Sequence, residues 1–264
     1  MALPPHAQEW FERAEIDYIG PFVKAWAAFN AWYRHASGQT QERAMLNFAT
    51  RDNNSRLRRR VLPLLQDNNI TADAERLKQA ICDLQLQLEE IHWEVTPKGR
   101  PERVSLREVC IEPKHLQNEQ LDRSGQRYRA QKIQGGQIEV SVVTINSGTV
   151  KFQHVQQQYD PPSVYGLPDF TNNLSVPQQT RLRNFYDGCN PRPMVDLVQG
   201  DGPQLQVSTM HFQCTNEDLL AGVVETLYAM RNALLHGEVE PDEQVLACFE
   251  PAYKIVTCFL RSMS

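Results

Sequence analysis

Hydrophobic residues recur at steps of three and four positions in several long stretches of the chain, and this spacing predicts amphipathic helices. The strongest stretch runs from Thr215 to His236. Thr215 and Asp218 have the spacing of a capping box at its start, and Gly237 stands where a left-handed residue ends a helix. We therefore expect His236 to lie in the last helical turn, accessible to solvent.

Other stretches share this periodicity. Residues 8–35 carry an aromatic-rich stripe that includes Trp26, Phe29 and Tyr33, and Pro21 either kinks this helix or marks its start near residue 20. The remaining predicted helices are 41–66, 71–93 and a last helix that starts at Pro241 and should be kinked by Pro251.

The pattern changes between residues 97 and 203, where Pro, Gly and Gln accumulate and apolar residues become sparse. Residues 137–144 and 149–155 alternate apolar and polar positions across an Asn-Ser-Gly turn, which predicts a hairpin. Residues 178–187 have the pattern of a short helix, and the proline-containing tract 159–173 is typical of a loop.

The sequence thus predicts a mainly α protein with a β-rich insertion between the third helix and the helix that ends at His236. The predicted segments are the N-terminal part of a helical bundle (1–96), the insertion or small second domain (97–210) and the C-terminal part of the bundle (211–264).

The composition is that of a globular protein, with 264 residues, 41% hydrophobic and 22% charged, and a net charge of -5. Because the balance is acidic, any nucleic-acid site must be local. The first residues lack a secretory pattern, no stretch is long enough to span a bilayer, and the six cysteines lack metal-ligand spacing. We expect a cytoplasmic protein with no membrane partner, reduced cysteines and no bound metal or cofactor.

The most basic window of the chain contains Arg56, Arg58, Arg59 and Arg60. A charge run of this kind is usually a solvated helix face. In an acidic protein it is also the best candidate for a surface that follows an RNA backbone. Both interpretations stay open.

Asn30 lies on the flank of the aromatic stripe, where its amide needs a hydrogen-bond partner. The amide is either satisfied within the core by a neighbouring helix, or it is an auxiliary site residue that faces His236.

Several common site motifs are absent from the sequence, among them the phosphate-binding Gly-rich loop, the Gly-x-Ser-x-Gly elbow and His-Glu-x-x-His. Glu112 and Lys114 imitate the acid and lysine of a metal-dependent nuclease. Pro113 argues against this interpretation because it cannot donate a hydrogen bond to the central strand that such a site needs.

Arg231, Asn232 and His236 remain as candidate chemistry. At about 100° per residue, Asn232 and His236 fall on one side of the helix, one turn apart, and Arg231 lies roughly 100 to 140° round from them. All three could line one cleft. The alternative is structural, with Arg231 paired to a surface carboxylate and His236 capping its helix.

The hexad Arg231-Asn-Ala-Leu-Leu-His236 resembles the marker of the HEPN family of helical-bundle proteins in its spacing and in its place at a helix end. The N-terminal run from Phe22 to Tyr33 is also similar to the first helix of some bacterial members. The resemblance implies a HEPN-like antiparallel helical bundle over residues 8–95 and 215–262, and it leaves the middle of the chain unexplained.

The resemblance also implies a function, since many members are metal-independent ribonucleases that dimerise to build a composite active site. His236 would be the general base or acid, Arg231 would hold the scissile phosphate, and Asn232 would orient the ring or the phosphate. We expect an RNA endonuclease of bacterial defence or toxin type that forms a 2′,3′-cyclic phosphate and a 5′-hydroxyl, with an antitoxin or defence-system partner. The alternative is a non-catalytic dimerisation or binding module, a role that other members have.

One position departs from the family. In the toxin branch paired with nucleotidyltransferase antitoxins, a tyrosine stands two residues after the His, and this chain has Glu238 there. Control by modification of that tyrosine is therefore not expected.

Overall fold

A computed structural model describes residues 17–95, 102–239 and 242–264. The described elements, in chain order, are α1 (Ile19–Ser37), α2 (Glu42–Arg51), α3 (Arg56–Leu65), α4 (Ala72–Ile91), β1 (Glu94–Val95), β2 (Glu102–Arg103), β3 (Asn118–Arg123), β4 (Gln126–Lys132), a 3₁₀ turn (Gln134–Gly136), β5 (Ile138–Thr144), β6 (Val150–Gln156), α5 (Pro161–Tyr165), α6 (Pro168–Asn172), α7 (Val176–Gly188), β7 (Gln204–Val207), β8 (Met210–Gln213), α8 (Asn216–His236), α9 (Glu243–Ala247) and α10 (Phe249–Met263). The chain is therefore mainly helical, as predicted.

Two compact units make up the chain. Unit 1 comprises Met1–Ile111 and Met194–Ser264, and unit 2 comprises Glu112–Pro193. The predicted insertion (97–210) is wider than unit 2. Residues 102–111 and 194–210 belong to unit 1 because each of these polar segments supplies isolated apolar side chains, such as Leu106 and Leu197, to the core that surrounds α8.

Helices form the core of unit 1. Helix α10 packs against α1, α3 and α4, while α8 packs against α2 and α3. The aromatic stripe of α1 is buried as predicted, and its Phe22 and Phe29 rings contact Phe249 and Phe259 of α10. On α8, Gly222 allows close packing, since a Cβ atom there would lie 2.3 Å from Leu197 Cδ1. The antiparallel pairs β1–β2 and β7–β8 complete the unit.

Unit 2 contains a four-stranded sheet, which is an antiparallel meander with strand order β3-β4-β5-β6. The predicted hairpin is confirmed as β5–β6, and the predicted short helix as α7. The loop prediction for 159–173 is wrong, because α5 and α6 lie within it. Pro161 and Pro168 each stand at the first position of a helix, where the missing N–H and the fixed φ of proline favour helix formation.

Proline also determines where the helices of unit 1 begin. Helix α1 starts at Ile19 with Pro21 in its first turn, which is one of the two predicted alternatives. Residues 8–16 of that predicted helix lie outside the described residues, and so does Pro241. The predicted C-terminal helix is interrupted at Cys248, three residues before Pro251, so that it consists of α9 and α10, with Pro251 in the first turn of α10.

The predicted helix 41–66 is two helices, α2 and α3. The Ser55 side chain caps the second by accepting a hydrogen bond from the Arg58 N–H at 3.3 Å. The third helix, by contrast, has the predicted extent and begins after the cap Thr71. Within the described ranges, no helix has both the length and the apolar character needed to cross a membrane.

Candidate functional site

The capped ends of α8 fix the position of the hexad. Thr215 Oγ1 accepts a hydrogen bond from the Asp218 N–H at 3.1 Å. At the other end Gly237 has φ +69°, and the Glu238 N–H donates to the Ala233 carbonyl at 2.9 Å. The predicted N-cap residue and stop of this helix are therefore confirmed, and His236 is its last residue. The predicted capping box is not complete, because the Asp218 carboxylate accepts from the Thr215 hydroxyl at 2.8 Å instead of from the Thr215 N–H.

Arg231 lies partly buried on the side of α8 that faces α1 and α2, with 24% of its side chain exposed. Its Nη1 donates to Asn232 Oδ1 at 2.8 Å and lies 3.9 Å from Glu42 Oε2. The second distance is an ion-pair separation and is too long for a hydrogen bond. Asn232 thus contacts the guanidinium of Arg231, whereas the resemblance implies that it orients the histidine ring or the phosphate.

Glu42, in the first turn of α2, is the centre of a polar cluster. Its Oε1 accepts hydrogen bonds from Tyr33 Oη at 2.8 Å and from Asn30 Nδ2 at 3.3 Å, and its Oε2 accepts one from Tyr228 Oη at 3.2 Å. Together with Arg231 these residues form what we call the Glu42 cluster. Three helices, α1, α2 and α8, therefore meet at one carboxylate.

The Tyr33 hydroxyl is held in its protonated form within this cluster. Burial raises its pKa above the ordinary value, and the hydrogen bond to Glu42 raises it further. Its phenol therefore remains a hydrogen-bond donor throughout the neutral range.

Arg231 also lines a groove of about 380 Å³ between α1 and the last turns of α8. Its lining residues are Val23, Trp26, Ala27, Asn30, Ala31, Arg34, Arg231 and Leu235. The groove combines two guanidinium groups with apolar walls, and no carboxylate is among the described residues that line it. Arg34 Nε donates to Asn30 Oδ1 at 2.7 Å, and the buried Trp26 Nε1 has no hydrogen-bond partner in the described part of the chain. Such a groove suits an anion attached to a planar or apolar group.

His236 is exposed and does not line the groove. Within residues 17–95, 102–239 and 242–264, its ring makes no hydrogen bond or ion pair. It follows Arg231 by five residues, which corresponds to roughly 140° round the helix. Asn30 lies with Glu42 and Arg231, so the structure brings Asn30 and Arg231 together, with Asn232 in contact with the guanidinium, and leaves His236 outside the groove.

The basic window is divided between paired and free arginines. Arg58 forms an ion pair with Glu217 at 3.3 Å, and Arg56 Nη2 donates to the Ser264 carbonyl at 3.0 Å. Arg59 and Arg60 are exposed and have no ion-pair partner in the described ranges. RNA binding by these arginines stays a prediction, and Arg59 and Arg60 are the two whose charge is not paired within the described ranges.

The other candidate chemistry gains no support from the structure. Glu112 and Lys114 are exposed in an irregular segment before β3, so no strand presents them side by side. In the described part of the chain, no three His, Cys, Asp or Glu side chains are grouped as metal ligands would be. None of the six cysteines, all of which lie in the described ranges, forms a disulfide. Burial raises the pKa of Cys82 to about 11 and that of Cys214 to about 12, which makes poor nucleophiles of both.

Sequence reasoning missed Glu42, Tyr33 and Tyr228 as parts of the site. Tyr33 and Tyr228 have the spacing of core residues, and an acidic residue in a first turn is common because it complements the helix dipole. The available signal was Asn30, whose amide needed a partner that the sequence did not identify.

The chain was compared with protein-family models, curated proteins and solved structures, and none of them matches it.

Proposed function

We propose that the chain is a HEPN-type endoribonuclease that cleaves RNA without a metal ion, leaving a 2′,3′-cyclic phosphate and a 5′-hydroxyl. The observation that carries this proposal is the placement of Arg231. It lies partly buried on a groove that has a second guanidinium and no described carboxylate, five residues before an exposed helix-end histidine. A guanidinium in that position suits a phosphate, with a base or sugar against the apolar walls.

The reaction is a transesterification at phosphorus. A base removes the proton from the ribose 2′-hydroxyl, and the 2′-oxygen forms a bond to phosphorus as the bond to the 5′-oxygen breaks. An acid then gives a proton to that leaving oxygen. An imidazole such as His236 can serve as base or acid near neutral pH. Arg231 stabilises the charge that grows on the phosphoryl oxygens.

A symmetric dimer supports this chemistry better than one chain does. Arg231 and His236 are on different sides of α8 in one chain, whereas a second copy can bring its own His236 to the Arg231 groove. Two-fold homodimers are the commonest oligomers. We propose a cytoplasmic enzyme of bacterial defence or toxin type, in which an antitoxin or defence-system partner controls this composite site.

The test is cleavage of total RNA with and without excess EDTA, followed by end-group analysis. We expect cyclic phosphate ends in both conditions, and we expect an Arg231→Ala/His236→Ala double variant to lose cleavage by at least about 10³-fold, since it removes both the charge stabilisation and the proton transfer. The control is Arg76→Ala/His211→Ala, which removes the same side-chain types from α4 and β8. Loss of wild-type cleavage in EDTA, or full cleavage by the double variant, would contradict the proposal.

A non-catalytic dimerisation or binding module is the second candidate. Leu235 and Val23, which are 57% and 39% exposed beside the groove, favour it. It predicts that His236→Ala lowers the melting temperature or dissociates a dimer, while the wild-type protein cuts no RNA substrate. Calorimetry and sedimentation, run beside the cleavage assay, separate the two functions.

A further inference from the structure

We propose that Glu42 is a positioning residue that fixes the Arg231 guanidinium at the groove. The inference rests on the proposed RNA cleavage, and it adds to that site a carboxylate that the hexad does not contain.

The orientation of the Glu42 carboxylate is itself fixed from two sides. Tyr33 and Asn30 of α1 donate to Oε1, and Tyr228 of α8 donates to Oε2. Hydrogen bonds to an ionised acceptor are the strong ones. Because these donors come from two different helices, rotation of the carboxylate would break at least one of them.

The separation between Glu42 and Arg231 suits a positioning role. At 3.9 Å the carboxylate attracts the guanidinium without accepting a hydrogen bond from it, and Nη1 donates to Asn232 instead. Nε and Nη2 of Arg231 donate to no other group in the described part of the chain. The guanidinium is thus held in place while N–H groups remain for a phosphate.

A guanidinium held in place in this way should act mainly on the rate. An arginine side chain loses rotamer entropy when it is ordered, and a side chain that is ordered before the substrate arrives does not lose that entropy in the transition state. Without its anionic neighbour, Arg231 should occupy other orientations and meet the phosphate less often in the productive one.

The experiment compares Glu42→Gln with Glu89→Gln. Glu89 is a matched control because it is also a partly exposed carboxylate of unit 1 with several partners. It accepts hydrogen bonds from Gln85 at 2.9 Å and Ser105 at 3.2 Å, and it forms an ion pair with Arg103 at 3.1 Å. Each variant is assayed for kcat and KM on a short RNA, for affinity towards a 2′-O-methyl analogue that cannot be cleaved, and for melting temperature.

We expect Glu42→Gln to lower kcat by about 10- to 100-fold with less than about a threefold change in analogue affinity, because orientation rather than binding is lost. Glu89→Gln should keep kcat within about twofold of the wild-type value, even if its melting temperature falls by as much as that of Glu42→Gln. Glu42→Asp, which keeps the charge, should recover part of the lost rate. Equal kcat values for the two Gln variants, or loss of analogue affinity in parallel with kcat, would overturn the proposal.

If Glu42→Gln does not fold, Tyr228→Phe decides the question, because it removes one donor from the carboxylate and keeps the ring. We expect kcat to fall by about three- to tenfold for that variant, and an unchanged kcat would contradict the role of Glu42. If the wild-type protein cuts no RNA, both the proposed function and this inference are contradicted. A wild-type protein that cuts RNA, with Glu42→Gln equally active, ends the inference alone.

Discussion

At the scale of the single residue, Tyr33 belongs at once to the core and to the candidate site. Its ring packs edge-on against Phe29 and Trp26, while its hydroxyl donates to Glu42 at 2.8 Å. The burial that stabilises the ring also raises the pKa of the phenol, so the hydroxyl remains a donor.

The variant Tyr33→Phe tests this coupling. At neutral pH it should lower the free energy of unfolding by about 2 kcal/mol, because a partly buried hydrogen bond to a carboxylate is lost and the ring is kept. The pKa of Tyr33 is raised in the folded protein, so its stabilising effect is complete below the ordinary tyrosine pKa of about 10 and decreases as pH rises above it.

The difference between wild type and Tyr33→Phe should therefore become smaller above about pH 10. Urea unfolding at a series of pH values measures it. A difference that stays constant through the alkaline range would contradict the assignment of a raised pKa to this phenol.

At the scale of the element, ion pairs join the first half of α8 to the neighbouring helices. Glu225 pairs with Arg43, Asp218 with Arg51 at 2.8 Å, and Glu217 with Arg58 at 3.3 Å. These pairs fix the register of α8 against α2 and α3 more than they add stability, because partly exposed pairs contribute at most about 1 kcal/mol each. The arginines of the basic window thus divide into structural and solvent-facing members.

This division predicts how RNA binding responds to substitution. Arg59→Ala/Arg60→Ala should weaken binding of a non-cleavable RNA and reduce the slope of log K against log salt by about 0.7 for each lost phosphate contact. Arg58→Ala should lower the melting temperature and leave that slope unchanged, since its charge is used within the protein. Fluorescence titrations between low and moderate salt measure both. An equal change of slope in the two experiments would show that Arg58 contacts RNA despite its ion pair with Glu217, and would contradict the prediction.

At the scale of the whole molecule, the chain leaves unit 1 and returns to it at one place. Val109 and Val195 form an antiparallel bridge, with N–H to carbonyl distances of 3.2 and 3.0 Å. Unit 2 has a similar closure, since the Lys114 N–H donates to the Pro191 carbonyl at 2.9 Å. Each unit has its own hydrophobic core, so each should fold without the other.

Replacement of Glu112–Pro193 by a short Gly/Ser linker should leave unit 1 folded. We expect a helical circular dichroism spectrum and cooperative thermal unfolding, because the bridge at Val109 and Val195 keeps the two chain ends together. Residues 112–193 alone should also unfold cooperatively, which is the matched experiment on unit 2. A collapsed or aggregated product without cooperative unfolding would contradict the division into two units.

Features that depend on residues close together in the sequence could be predicted, and features that depend on contacts between distant residues could not. Helices α4 and α8 and the β5–β6 hairpin were predicted because periodicity, caps and turn residues are local in the sequence. The loop prediction for 159–173 is wrong because proline disrupts only the interior of a helix, while Pro161 and Pro168 occupy first turns. Residues 102–111 and 194–210 could not be assigned to unit 1 from the sequence. Their few apolar side chains show no local pattern, and only their packing against α8 identifies them as core residues.

The sequence alone determined the mainly helical class and the end of α8 at His236, since helix periodicity and the φ preference of Gly237 act within a few residues. The resemblance of the hexad to the HEPN marker was also visible there, and the ribonuclease function that it implies stays a proposal. Only the tertiary structure decided that Asn30, Glu42 and Arg231 meet and that His236 lies apart from them. Hydrogen bonds and ion pairs between separate helices depend on how those helices pack, and no pattern within one helix encodes that packing.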